Sequence, residues 1–149
     1  MPKVPRYSSF KPASETASRI KQRNRSRNTK AEVLLRKELW RRGLRYRLHA
    51  ADLPGKPDIV FRRARVVVFC DGDFWHGRRW RERMEKLARG SNAAYWTAKI
   101  AANMARDRRT TRRLRAAGWI VVRLWETDVL GDVARVARRV ERTVMRTRH

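Results

Sequence analysis

The spacing of apolar and polar positions changes several times along this chain, and each change marks an element. From Thr29 the spacing is helical: Leu35 and Leu39 lie one turn apart, Thr29-Lys30-Ala31-Glu32 reads as a capping box, and Gly43 ends the helix. A short strand is expected around Tyr46 to His49, followed by a turn at Leu53-Pro54-Gly55-Lys56-Pro57. Asp58-Ile59-Val60-Phe61 opens a strand, and Arg62-Arg63 makes the next turn. Val66 to Cys70 is apolar at every position, the pattern of a strand covered on both faces, so the two runs predict a hairpin at the centre of a sheet. Arg78 to Arg89 is dense in arginine and is expected to be irregular or briefly helical. Ala94 to Ala117 reads as a long helix, because Ile100, Met104, Asp107, Thr111 and Leu114 recur at spacings of four, three, four and three. That stripe carries Asp107 to the buried side. Gly118 closes the helix, Trp119 to Trp125 is a further strand, and a last helix after Asp132 turns Val133, Val136, Val140 and Val144 inward. The order helix, three strands, helix, strand, helix predicts a three-layer α/β domain.

Charge adds a partner to this outline. Lys and Arg number 39 against 14 Asp and Glu, a net +25 that repels itself in an isolated fold and is relieved by a polyanion. Most of the cations are arginines, whose fork suits phosphate. Residues 1–28 read as a basic arm: they hold prolines, serines and the run Arg19, Lys21, Arg23, Arg25, Arg27, with few apolar residues to offset the entropy of ordering. The arm is expected to be disordered alone and ordered on DNA, and residues 29–149 to form the folded domain. Cys70 is the one cysteine, so the chain can make no internal disulfide and no zinc site of four cysteines or of paired cysteines and histidines. The histidines are His49, His76 and His149. The sequence has no secretory h-region and no apolar run near the roughly 20 residues a membrane span needs. A cytoplasmic, nucleoid-associated protein with no membrane partner is expected.

Acids are scarce, yet Asp58, Asp71 and Asp73 fall at the ends of neighbouring candidate strands. Carboxylates brought that close repel one another unless a cation lies between them, and hard oxygen donors suit Mg²⁺. Beside DNA such an ion polarises phosphate and activates water. The plainer reading is a pair of surface turns, and on spacing alone it stands slightly ahead. His76, directly after Phe74-Trp75, can shuttle a proton or stand as a hydrogen-bonded loop residue. Pro57-Asp58 and Asp71-Gly72-Asp73-Phe74-Trp75-His76 together shift the balance towards chemistry.

Leu53 to Asp58, Val68 to His76, Tyr95-Trp96-Thr97-Ala98-Lys99-Ile100, Asn103 with Arg106-Asp107-Arg108-Arg109, Gly118-Trp119 and Leu124-Trp125-Glu126 come in order. In this series the chain resembles the very-short-patch-repair endonucleases, from about Ser26 to Glu126. The resemblance implies the restriction-endonuclease-like fold, a central mixed sheet flanked by helices. It also implies a Mg²⁺-dependent enzyme that nicks one strand of duplex DNA at a thymine–guanine mismatch. By the same resemblance Asp58 binds the metal, the main-chain carbonyl of Cys70 is a second ligand, and Asp71, standing where familiar members have histidine, adds a carboxylate. His76 activates the attacking water, Asp107 orients His76 or the water, and Glu32 is an acid of the first helix near the metal. For Glu32 the capping box is an equally good account. Phe74, Trp75 and Trp96 match aromatics that wedge beside the mismatch, where unstacking costs least. With six tryptophans in the chain, core packing is the competing role. Arg78, Arg79, Arg23 and Arg25 are expected on DNA. The positions that hold a structural zinc in the family correspond to Asp73, Arg78, Trp80 and Thr127, none of them cysteine or histidine, so no structural zinc is expected. An ion pair between Asp73 and Arg78 is a candidate to hold the loop instead.

Two other readings compete. The missing zinc ligands suggest a catalytically inactive DNA-binding module of the same fold, and the charge alone suggests an RNA-binding protein of the ribosomal kind. A monomer is expected on double-stranded DNA, with mismatch-repair proteins or a methylase left open as partners.

Overall fold

The computed structural model describes residues 28–73, 77–90 and 92–147. Helix α1 (Lys30–Arg41) starts where Thr29 accepts a hydrogen bond from the Glu32 amide at 3.2 Å. The reciprocal bond of a capping box is displaced by one residue: the Glu32 carboxylate accepts from the Asn28 amide at 3.1 Å. Gly43, at φ +85°, then takes the left-handed position past the helix end.

A four-stranded mixed sheet follows: β1 (Arg47–Leu48), β2 (Ile59–Phe61), β3 (Val66–Asp71) and β4 (Ile120–Trp125), adjacent in that order. β1, β2 and β3 are mutually antiparallel, and β4 runs parallel to β3. A parallel neighbour needs a crossover, which the long helix α3 (Ala93–Ala116) provides. Short helices α2 (Trp80–Ala88) and α4 (Glu126–Gly131) flank the ends of β3 and β4, and α5 (Val133–Thr147) closes the chain.

Period-two alternation divides the sheet residues between two cores. Ile59, Phe61, Val66, Val68, Val122 and Leu124 meet α1, α4 and α5 through Leu35, Leu39, Val129, Val140 and Val144. Val60, Val67 and Phe69 face the other way, onto Leu114 of α3 and Trp119. The result is the expected three-layer α/β architecture, a mixed sheet between helices. The structure differs from the sequence expectations in detail. α2 is a full helix in the arginine-dense stretch, α4 was not anticipated, and β3 runs one residue further, to Asp71. The expected arm lies outside the described residues apart from Asn28.

Candidate active site

The hairpin register brings Asp58 alongside the far end of β3. Ile59 pairs with Val68, so Asp58, one step before it, lies beside the next residues of β3. Its amide donates to the Val68 carbonyl at 3.0 Å, and its Oδ2 accepts from the Cys70 amide at 2.7 Å. The approach expected from the sequence is therefore present. Glu32 enters from the first turn of α1 and is almost wholly buried, at 1% exposure. His49 follows β1 and donates its amide to the Asp58 carbonyl at 3.2 Å. The histidine Nε2 lies 3.0 Å from Glu32 Oε1. One donor atom from each of Glu32, His49 and Asp58 lies within 4.8 Å of the others. Arg36 supplies a nearby cation, its guanidinium 3.3 Å from Glu32 Oε1.

Carboxylate oxygens and one imidazole nitrogen form a donor set that a hard or borderline divalent ion accepts. Burial, and after it the negative charge of Asp58, Glu32, Asp71 and Glu126, pushes the Cys70 thiol well above its ordinary range. Without an ion nearby the sulfur is held as a neutral thiol.

Asp71 was expected among the metal donors, but the structure puts it in a different group. It points to the α3 side of the sheet, opposite to Cys70, because neighbouring strand residues alternate. There Arg123 grips both carboxylate oxygens at 3.1 Å. The same guanidinium donates to the Asp107 carbonyl at 3.3 Å and to Thr111 Oγ1 at 3.0 Å. It lies 4.1 Å over the Phe69 ring and 3.8 Å from the Asp107 carboxylate. Asp107 is half-buried on α3, whose buried face runs through Trp96, Ile100, Asn103, Thr110 and Leu114, next to the stripe expected. Arg123 was not anticipated, although a lone charge between Val122 and Leu124 in an apolar strand was a readable signal. His49 had no comparable signal, because its placement depends on the β1–β2 pairing.

Phe74, Trp75 and His76 lie outside the described residues, as do Arg23 and Arg25. Both flanks of the 74–76 segment are held. Asp73 accepts from the Thr127 amide at 3.2 Å and from the Thr127 hydroxyl at 2.6 Å. Arg78 bonds Asp73 Oδ2 at 3.3 Å and Thr127 Oγ1 at 2.7 Å, and pairs with Asp128 at 3.1 Å. Asp73, Arg78 and Thr127, three of the four positions that the sequence resemblance matches to zinc ligands, here clasp one another. A guanidinium cannot ligate zinc, so this set does not fit that metal. The expected Asp73–Arg78 ion pair is present, and Arg78 is committed to it. Gly77 sits at φ +80°, where a Cβ would strike the Met104 side chain, so a glycine is required where the chain passes α3 at this residue. Burial, and then Asp73, raises the Glu126 carboxyl above its ordinary value. Arg79 is exposed. Trp96, expected beside the base stack, is 6% exposed and packs edge-on against Tyr95 at 4.6 Å.

Comparison with known proteins bears on what this geometry serves. The family model described as DNA mismatch endonuclease Vsr matches residues 10–82. A type II nicking enzyme of Neisseria meningitidis serogroup C, V.NmeDIP, is 40% identical over 130 residues, covering 87% of this chain and 86% of its own. The chain belongs to the Vsr endonuclease family. Other members include the type II nicking enzyme V.XorIIP of Xanthomonas oryzae pv. oryzae, 43% identical over 81% of this chain and 86% of its own. The DNA mismatch endonuclease Vsr of Escherichia coli is 37% identical over 71% of this chain and 66% of its own. Vsr membership accords with the mixed sheet flanked by helices and makes the protein a DNA endonuclease. No described helix is long and apolar enough to cross a membrane.

Proposed function

We propose that this Vsr-family protein is a Mg²⁺-dependent endonuclease that nicks one strand of duplex DNA at a thymine–guanine mismatch, as in very-short-patch repair. The observation that carries the reading is the convergence of Glu32, His49 and Asp58 at the point where the Cys70 main chain runs beside Asp58. When bound there, a divalent ion polarises the scissile phosphate and makes water a better nucleophile. Asp58 is fixed beside the β3 main chain by the hydrogen bond that its Oδ2 accepts from the Cys70 amide. The Cys70 carbonyl can add a ligand at no cost in side-chain entropy. Glu32 contributes a second carboxylate from a rigid helix start. His76, three residues beyond the clasped Asp73, takes the proton as the water oxygen bonds to phosphorus, while the P–O bond of the strand breaks with its electron pair on the leaving oxygen, which solvent water protonates. Asp107, tied through Arg123 to Asp71, steadies that side of the site. Phe74 and Trp75 are the aromatics proposed to wedge at the mismatch. Arg79 and the exposed Arg106, Arg108 and Arg112 of α3 offer phosphate contacts.

The test is to incubate the full chain with mismatched and matched duplexes, with Mg²⁺ and with a chelator, and to read single-strand breaks on a denaturing gel. Nicking that needs Mg²⁺ and favours the thymine–guanine duplex is the expected result. Asp58→Ala should abolish nicking and leave DNA binding within a few-fold. Undiminished nicking by that variant would remove the site assignment. Tight binding with no nick on any duplex would leave a DNA-binding module of the same fold.

A further inference from the structure

We propose that His49 is a metal ligand, a nitrogen donor that completes a mixed set with Glu32 and Asp58. The inference rests on the metal reading of the site and adds a residue to it. Three observations support it.

The first is the environment of the ring nitrogen. Nε2 of His49 is shielded from solvent and makes no hydrogen bond among the described residues. Its neighbour, Glu32 Oε1, is 3.0 Å away but lies off the axis along which a ring N–H donates. A buried ring nitrogen without a hydrogen bond is costly unless something else occupies its axis.

The second is distance. An octahedral ion with bonds of about 2.1 Å holds adjacent ligand atoms about 3.0 Å apart. Glu32 Oε1 and His49 Nε2 are separated by 3.0 Å, and the Asp58 donor atom falls within 4.8 Å of both. The third is the backbone. His49 sits at φ +48°, a left-handed conformation uncommon for a residue with a side chain, and its amide is fixed to the Asp58 carbonyl at 3.2 Å. The residue that presents the ring is therefore hydrogen-bonded to the residue that presents the carboxylate. An imidazole ligand suits first-row transition ions better than Mg²⁺ or Ca²⁺, which prefer oxygen throughout.

The experiment uses the full chain with Mn²⁺ alone and no DNA, read by pulsed electron paramagnetic resonance and by titration of free Mn²⁺. Bound Mn²⁺ should show the modulation of a directly coordinated nitrogen. His49→Gln should remove that modulation and weaken Mn²⁺ binding about tenfold. His49→Asp, which keeps a donor but not nitrogen, should hold the affinity within a few-fold while losing the modulation. Circular dichroism of both variants checks the fold. If Mn²⁺ binds in an Asp58-dependent way without nitrogen modulation, or if the modulation survives in His49→Gln, His49 is only an ion-pair partner of Glu32 and the proposal falls alone. If millimolar Mn²⁺ does not bind, or Asp58→Ala binds it unchanged, the metal reading falls with it.

Discussion

One oxygen of Glu32 accepts from the Asn28 amide at the start of α1, and the other faces His49 and Arg36. A single carboxylate thus serves a helix end and the candidate site, and isosteric substitution separates the two tasks. Glu32→Gln keeps an acceptor for the Asn28 amide. It should lower nicking about 10- to 100-fold while changing the melting temperature by only about 2 °C. Glu32→Ala should also lose the cap, at about 1 kcal/mol, seen as a further drop in denaturant midpoint. Glu126 gives a pH prediction. Its folded carboxyl titrates above the ordinary value of 4.5, because burial and Asp73 disfavour the charge. The folded state therefore holds its proton more tightly than the unfolded chain, and a destabilisation sets in as pH rises from the ordinary value through the raised one. Glu126→Gln should raise the melting temperature by about 1–2 °C at pH 8, water screening keeping the effect small. The gain should vanish at pH 4. Sequence could place Asp58 beside the end of the next strand because strand ends have local signatures, whereas Glu32 came to the site only through the family resemblance. It could not assign the two oxygens of Glu32, nor bring in His49, because both depend on contacts between distant segments.

Strand β4 reads from sequence as a plain apolar run interrupted by Arg123, yet that arginine ties three elements together. It joins Asp71 at the end of β3 to Asp107 and Thr111 of α3. Asp71 is 6% exposed, so removing the guanidinium that grips both its oxygens weakens the compensation of a buried charge. Arg123→Met should destabilise the fold by about 3–5 kcal/mol in urea unfolding. Arg123→Met with Asp71→Asn should recover part of that loss, and an additive double variant would show that the two are not coupled. Long periodic elements such as α3 and α5 were legible because their apolar stripes repeat several times. Helix α4 was not, since Glu126 to Gly131 is too short for its period to stand out. The stripe of α3 was read slightly off its true face, since Met104 and Thr111 are half-buried while Asn103 and Thr110 are buried. A polar residue on the inner face weakens the apolar signal by which a face is found.

At the scale of the whole molecule, net charge and the clasp at the mouth of the 74–76 segment matter most. A net charge of +25, much of it on α3, α5 and the amino-terminal residues, predicts DNA affinity that falls steeply with salt. Between 50 and 200 mM salt the dissociation constant should rise about 10³-fold, by fluorescence anisotropy, if six or more phosphates are contacted. A rise of only a few-fold would mean that most of this charge lies away from DNA. The charge and the three-layer arrangement were both legible, since the first is a count and the second follows from element order.

Asp73, Arg78 and Thr127 join the two sides of the loop through carboxylate, guanidinium and hydroxyl groups. Nothing in such a knot can be stripped by a chelator or attacked by peroxide, unlike one tied by thiolates around an ion. Cys70, half-buried and held as a thiol, offers an oxidant little more. Chemistry and shape should therefore part company under metal starvation: cutting stops, the fold survives with only the drop in melting temperature that an emptied binding site brings, and restoring the ion restarts the enzyme without any refolding.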